Sequence, residues 1–516
     1  MVIMGREGLE GGPSSMNDNK MPISPIIDIN LERIQMDLGR SDDVVIREIR
    51  DVNTLDAAAA IVYMDGLSDA KIINTYIFDV LNHALAHIPA TPSSTEDSSI
   101  ERIAKDLLTG IGPVYACTHF SDIYRFLLSG EAILLFRGSH HAYRACIREW
   151  KSRDVMESNN QTAIRGPRES FTETLRINTA LIRRKIKDPN LWFETITIGD
   201  TTKTDITIVH VNGLAKPSVL ENVRIKLASI EIDGVLDSGY IEELIEDAPH
   251  SLFPTVYNSD LPDVVAAQLL EGKVGILVDG TPNMLLVPTQ LVTFFQSPED
   301  YYQRAFYSSL LRILRFASVF ISLLLPASYI AITTFHRDML PTSLLIGLAA
   351  QREGVPFPAF VEALVMEVTF EILREAGLRM PKAIGQAVSV VGTLVIGQAA
   401  VDAGIVSAAM VIVVAVTAIS TFTLPSYSLS IPIRILRFAF MGVGASFGLF
   451  GIVMGLLVLL LHVCSLRSFG EPYMSPFSPY KRTEFEDALF RLPRWLTYKR
   501  PDTSLSAGRA RLRKRS

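Results

Sequence analysis

The rhythm of hydrophobic and polar positions changes once along this chain, near residue 300. After that point come four long apolar runs almost free of charge, at 316–334, 384–401, 405–424 and 438–461. Each approaches the roughly 20 residues that cross a hydrocarbon core of about 30 Å at about 1.5 Å per residue. Between Ile384 and Leu424 the one ionisable side chain is Asp402, in a Val-Asp-Ala-Gly turn between two runs. There it avoids the roughly 3 kcal/mol that a carboxylate costs at mid-bilayer. The pattern predicts an all-α, multi-pass transmembrane domain over 301–468 with four spans. Six spans would require the short run 343–350 to cross as well.

Before residue 300 the apolar pattern is that of a charged globular protein. Residues 1–40 form a leader bearing Gly, Ser, Pro and Asn, with little periodicity. From Val44 onward strand-like and helix-like pieces alternate. A β-branched and small-residue run at 58–64 ends in Asp-Gly, and 70–87 carries Ile72, Ile73, Tyr76, Ile77, Val80 and Leu81 on one helical face. A Thr/Pro/Ser break at 91–99 and a helix near 100–108 follow. Leu127-Leu-Ser-Gly-Glu-Ala-Ile-Leu-Leu-Phe-Arg-Gly138 is echoed by Leu269-Leu-Glu-Gly-Lys-Val-Gly-Ile-Leu-Val-Asp-Gly280, with five identities in twelve positions. Each copy reads as a helix closed by Gly, a buried strand and a turn. Helix–Gly–strand is a common local unit, so the echo has a plain alternative. As a duplication, it predicts an α/β region of two related subdomains, 41–160 and 161–300, joined near Ser158-Asn-Asn-Gln161. Hairpins are expected from 191–198 with 205–211, and from 274–278 with 284–287.

Charge refines this picture. The chain of 516 residues has a net charge of −6. Its start, Met-Val-Ile-Met-Gly-Arg-Glu, lacks the apolar core of a secretory signal. Cys117, Cys146 and Cys464 stand at unrelated spacings, which fits a reducing compartment without a disulfide framework. Residues 465–516 hold 12 Lys/Arg against 5 Asp/Glu, which favours a cytoplasmic tail over 469–516. Within that tail Phe485, Leu489, Leu492 and Trp495 lie among bases, as in a membrane-surface segment or a tail-to-domain contact. Gly166-Pro167 opens a helix with Glu169 in its first turn and a basic end at Arg183, Arg184, Lys185 and Lys187. That end suits anionic lipid heads, an acidic neighbour or plain solvation. The stretch 360–376 puts Val361, Val365, Val368 and Ile372 on one side and Glu367, Glu371, Arg374 and Glu375 on the other. It reads as an interfacial helix, closed by Gly377 and Pro381.

Catalytic patterns are sparse. His83 and His87 have metal-compatible spacing without a carboxylate partner, and His140-His141 follow a turn. No phosphate loop, nucleophile elbow or paired-cysteine motif occurs, and Gly-Val-Gly-Ala-Ser-Phe-Gly448 sits inside an apolar run with no strand before it. The reading is a non-enzyme with no metal, no cofactor and no nucleic-acid partner. Gly444, Gly448, Gly451 and Gly455 are instead expected to pack helices closely, and Pro326 to kink the first span.

Five blocks, in order, resemble the A subunits of the GerA-type spore germinant receptors, over roughly 41–493. They are Arg165-Gly166-Pro167-Arg168-Glu169-Ser-Phe through Arg183-Arg184, Leu269-Leu-Glu-Gly through Gly280-Thr-Pro, Phe370-Glu-Ile-Leu-Arg-Glu-Ala-Gly-Leu-Arg-Met-Pro381, Val395-Ile-Gly-Gln-Ala-Ala-Val-Asp-Ala-Gly404, and Ser468-Phe-Gly-Glu-Pro-Tyr-Met-Ser-Pro476. Leu261 stands where relatives commonly carry Arg before Pro-Asp. The resemblance implies a subunit of the inner spore membrane that assembles as a homo-oligomeric ring around an ion pathway. It further implies a permease-like B subunit and a lipoprotein-like C subunit as partners, beside membrane lipid. Gln386, Ser389, Thr393, Gly397 and Ala400 share a helical face, which either lines a watery path or packs helices; the resemblance favours the path. Glu367, Glu371 and Glu375 become candidates for an acidic vestibule, with a solvated polar face as the alternative. A non-conducting scaffold and a secondary transporter are the competing functions.

Overall fold

A computed structural model describes residues 21–50, 57–78, 115–147, 165–380, 397–485, 487–496 and 500. His83, His87, Gln386, Ser389 and Thr393 lie outside the described residues, as do residues 1–20, the joint between the expected subdomains and most of the 384–401 run. The leader expectation is corrected for its second half: Ile27–Asp37 is a helix whose Ile27, Leu31 and Ile34 are buried in the first core. The chain divides into two compact units. One holds the residues up to Glu246 with Val256–Pro288, and the other holds Asp247–Thr255 with Thr289–Thr497.

The first unit contains two antiparallel five-stranded sheets. The strands are β1 (Val44–Arg50), β2 (Ala57–Met64), β3 (Tyr115–Cys117), β4 (Ala132–Phe136), β5 (Ala142–Ala145), β6 (Leu191–Ile198), β7 (Thr204–Val211), β8 (Tyr257–Ser259), β9 (Val274–Val278) and β10 (Met284–Val287). The strand orders are β1-β2-β4-β5-β3 and β6-β7-β9-β10-β8, so the sheets share one topology. Helix α1 (Phe120–Leu127) precedes β4, α2 (Leu175–Lys185) precedes β6, and α3 (Pro262–Leu270) precedes β9.

The two copies of the repeat coincide down to the backbone. Glu131 N–H donates to the Phe126 carbonyl and Lys273 N–H to that of Gln268, each at 3.2 Å. Gly130 and Gly272 hold φ of 86° and 88°, the left-handed turn that ends a helix and that side chains with a Cβ resist. Both expected hairpins form, with Leu191 opposite Val211 and Met284 opposite Leu277. In the first sheet Ala60, Val62, Ile133 and Leu135 point to one core and Ile61, Tyr63, Leu134 and Phe136 to another. Both faces are covered, which explains why these strands read as continuous apolar runs rather than as alternation.

The Gly166-Pro167 helix start is corrected. Helix α2 begins only at Leu175, because Phe171 N–H donates to the Asp260 carbonyl and Thr172 N–H to Asn178 Oδ1, which hold 171–174 outside it. Glu169 therefore does not lie in the first helical turn. It reaches back to the last turn instead, 3.3 Å from Arg184 and 3.4 Å from Lys185.

The second unit is helical: α4 (Ala305–Phe335), α5 (Thr342–Arg352), α6 (Ala359–Arg379), α7 (Ala408–Phe422) and α8 (Tyr427–Ser465), with a short turn of helix at Gly397–Asp402. By length and composition α4 and α8 are long and apolar enough to cross a membrane, while α7 has 15 residues. At Gly448 the backbone takes φ 62° and ψ −150°, so α8 is two arms. They fold against each other. A Cβ on Gly451 would lie 3.0 Å from the Val443 carbonyl oxygen, and one on Gly455 2.9 Å from the Phe440 ring. The single span expected at 438–461 is thus a helical hairpin.

The neighbours of α8 give the chain directions. Arg437, Gly444 and Gly448 lie opposite Ser322, Ala327 and Phe335, so the first arm runs parallel to α4. Arg437 and Arg434 meet Glu367 and Glu371, so α6 runs antiparallel to that arm. Tail residues return to the start of α4: Phe477 packs edge-on to Phe316, and Arg491 donates to the Gln303 carbonyl. Within the segment 481–500, Phe485 against Phe477 and Arg491 on Gln303 make the tail-to-domain contact, while Trp495 stays exposed.

Candidate functional site: a buried ion-pair junction between helices

Several helices of the helical unit bury polar or charged side chains while leaving large apolar ones exposed. Helix α6 departs from its interfacial expectation on its carboxylate side: Glu362 and Glu367 are buried, while Val365, Val368 and Ile372 are exposed, Ile372 to 64%. The same inversion holds for α4, with Ser322 buried and Phe320 exposed, and for α7, with Thr417 buried and Ile419 exposed. Water around a helix rewards the reverse arrangement, whereas lipid rewards this one.

At the centre lies Arg437, 1% exposed. Its Nη1 donates to Glu367 Oε2 at 2.7 Å, its Nε to the Ser322 carbonyl at 2.8 Å, and its Nη2 to Ser322 Oγ and Thr421 Oγ1, both at 2.8 Å. One guanidinium therefore joins α4, α6, α7 and α8. The junction lies near the middle of α4, at Ser322, and in the last turn of α7, at Thr421. One helical turn away, Glu371 accepts from Arg374 Nη2 at 2.7 Å and from Arg434 Nε at 3.1 Å. Glu362 Oε2 accepts the Ser407 N–H at 3.1 Å, just ahead of the start of α7. At the entry to α4, the carboxylate of Asp300 lies 2.9 Å from Arg312 and 2.8 Å from Arg315. A buried charge is tolerated only when paired and hydrogen-bonded, and these are.

The acidic-vestibule expectation is corrected on this geometry. Glu367 is closed off and paired, and Glu371 is held between two arginines. Only Glu375 is exposed, paired with Arg379 at 2.8 Å. Of the expected pore stripe, Gly397 is buried with its Cβ position 3.5 Å from Val411, which is a packing contact, and Ala400 lies in the short turn beyond it. Among the packing glycines, Gly444 lies under α4, with its Cβ position 2.9 Å from the Ala327 carbonyl oxygen. Gly451 and Gly455 close the hairpin, and Gly448 makes it. Arg434 and Arg437 lie just ahead of the apolar run 438–461 and so outside its pattern. Their spacing of three, against Glu367 and Glu371 spaced by four, was the available signal.

In the first unit, the basic helix end meets acidic neighbours, one of the partners expected for it: Arg183 pairs with Asp43, and Arg184 and Lys185 with Glu169. Arg183 is 1% exposed, with Nε 2.8 Å from Asp43 Oδ2 and Nη2 3.3 Å from Ser41 Oγ. Ser41 Oγ accepts the Phe193 N–H at 2.9 Å, so Arg183 fastens the entry of the first sheet to β6 of the second. Arg165, Gly166, Pro167 and Arg168 precede it at a bend on the surface. A cleft of about 430 Å³ between the two sheets is lined by aspartates. Asp65, Asp205 and Asp279 there already accept from Arg176, Thr197 and the Leu175 N–H. Elsewhere in the unit, burial pushes His210 down to about 4 and Glu242 up to about 7.

The chain matches the family model described as "Bacillus/Clostridium GerA spore germination protein" over residues 32–503. It is 46% identical to spore germination protein KA of Bacillus subtilis (strain 168), over 93% of this chain and 87% of that protein. It is 42% identical to the uncharacterized membrane protein YfkQ of the same strain, over 95% and 93%. The crystal structure of the N-terminal domain of the A subunit of the Bacillus megaterium spore germinant receptor GerK3 covers 52% of this chain and 97% of its own. That match has 34% identity and a TM-score of 0.40. This chain belongs to the GerA family of spore germination proteins.

Proposed function

We propose that this chain is the multi-pass A subunit of a germinant receptor in the inner spore membrane, and that copies of it assemble around a ligand-gated ion path beside permease-like B and lipoprotein-like C subunits. The observation that carries the reading is the buried Arg437–Glu367 pair, held among helices that leave Phe320, Val365, Ile372 and Ile419 exposed. Charges held within a membrane-crossing bundle mark a transport path or its gate by default.

The chain directions support six crossings rather than four: α4, α6, the 384–401 run, α7 and the two arms of α8. The 384–401 run then joins two helices that both leave the Glu362–Ser407 end. An even count keeps both termini, and the sheet-bearing unit, on the cytoplasmic side. Gln386, Ser389 and Thr393 remain the pore-facing candidates once Gly397 is occupied by packing.

The test is ion flux through the purified full-length protein in liposomes. Wild type is expected to release trapped potassium, and Ser389→Lys and Thr393→Trp to change that rate severalfold while still inserting. Insertion with no flux in any variant would support the scaffold reading. Saturable flux coupled to a solute would identify a transporter.

A further inference from the structure

Helix α5 stands apart from the rest of the helical unit. None of its residues is buried, and Leu344 and Ile346 are half or more exposed. It borders a cavity of about 620 Å³ at the end of α4, whose walls include Leu345, Ile346 and Leu348 with Arg337, Arg352 and Glu353. Arg337 donates its Nε to the Thr333 carbonyl at 2.8 Å, and its two terminal nitrogens make no hydrogen bond among the described residues. Arg352 Nε is buried 3.4 Å from Glu362 Oε1, without hydrogen-bond geometry. Two guanidiniums with donors to spare therefore share one cavity with an apolar wall.

We propose that this cavity binds a phospholipid, with its phosphate on Arg337 and Arg352 and its acyl chain along Leu345, Ile346 and Leu348. Guanidinium matches phosphate geometry with paired donors. The position is consistent, because α4 ends at Phe335, the level at which a crossing helix meets head groups. An occupied cavity would cover the α5 side chains that the chain itself leaves open. The inference rests on the membrane reading above.

Native mass spectrometry of the full-length protein in detergent, delipidated and then titrated with phosphatidylglycerol, tests it. Wild type is expected to retain one lipid, and Arg337→Gln with Arg352→Gln to weaken that binding at least tenfold. Arg337→Gln alone, away from the Glu362 contact, should weaken it severalfold, and Ile346→Asp should do so without touching either arginine. Glycerophosphate at matched concentration should not compete, since it lacks the chain. Competition by glycerophosphate equal to that of the lipid would show a free-phosphate site and overturn the lipid assignment. Equal lipid retention by wild type and all three variants would overturn the site itself. Failure of the membrane reading is separate: the chain would leave membranes without detergent.

Discussion

Two buried arginines, one in each unit, show how differently the same residue is used. Arg183 sits where an otherwise ordinary soluble core needs one strong bolt, and Asp43 and Ser41 answer it locally. Arg437 sits among buried Ser322, Thr417 and Thr421, in a unit where Phe320, Val365, Ile372 and Ile419 are turned outward. In the first unit the solvent being excluded is water, and the aliphatic strands do the excluding. In the second, on the membrane reading proposed above, the surroundings are as apolar as Leu, and hydrogen bonds, ion pairs and close glycine contacts then hold the helices.

The largest effects should come from breaking either bolt. Arg183→Ala and Arg437→Ala each strand a carboxylate, which costs about 3–5 kcal/mol. For Arg183→Ala the loss should appear as a lowered thermal midpoint of the full-length protein that is indifferent to added lipid. For Arg437→Ala it should appear as lost stability in bilayers, with Glu367→Gln milder because it leaves no charge behind. Equal lipid dependence of the two would erase the contrast.

Val365→Asp sharpens the same contrast. On a water-facing surface it would be close to neutral, but on a lipid-facing one it costs about 3 kcal/mol. Insertion efficiency in membranes measures this directly, and unchanged insertion would mean that the exposed side of α6 faces water.

His210 supplies a pH handle confined to the first unit. Burial lowers its folded pKa from 6.5 to about 4, so it contributes stability above 6.5 that is lost as pH falls toward 4. The loss should reach about 3 kcal/mol at most. It is read as the difference in thermal midpoint between wild type and His210→Gln across that window, because the variant lacks this titration. A difference that does not change with pH would contradict the burial of the ring.

Smallest is Gly444→Ala. Its new methyl would meet the Ala327 backbone at 2.9 Å, forcing α4 and α8 apart at a cost of about 1–3 kcal/mol. Gly442→Ala, which meets nothing within 4 Å, is the control.

Much of this was legible in the chain itself. The Leu127–Gly138 and Leu269–Gly280 echo identified the duplication because a helix-closing Gly and a buried strand leave a strong local pattern. Hairpins at 191–211 and 274–287 followed from turn chemistry between β-rich runs. The apolar runs after residue 300 marked the helical unit for the same reason, that composition alone sets them. What resisted reading was orientation. Residues 360–376 show two faces, and periodicity does not say which one meets the surroundings. An interfacial helix leaves its carboxylates to solvent, whereas here Arg437 and Arg434 close off Glu367 and Glu371.

By itself, then, the sequence determined the repeated strand order's local pieces, the apolar character of the second half and the family to which the chain belongs. Only the tertiary structure decided that Arg183 is buried, that α8 doubles back at Gly448, and that Arg437 meets Glu367 across 70 positions of chain. The reason is physical. Propensity, turns and composition act over a few residues, whereas the partner of a buried charge is chosen by whichever distant segment folds within about 3 Å of it.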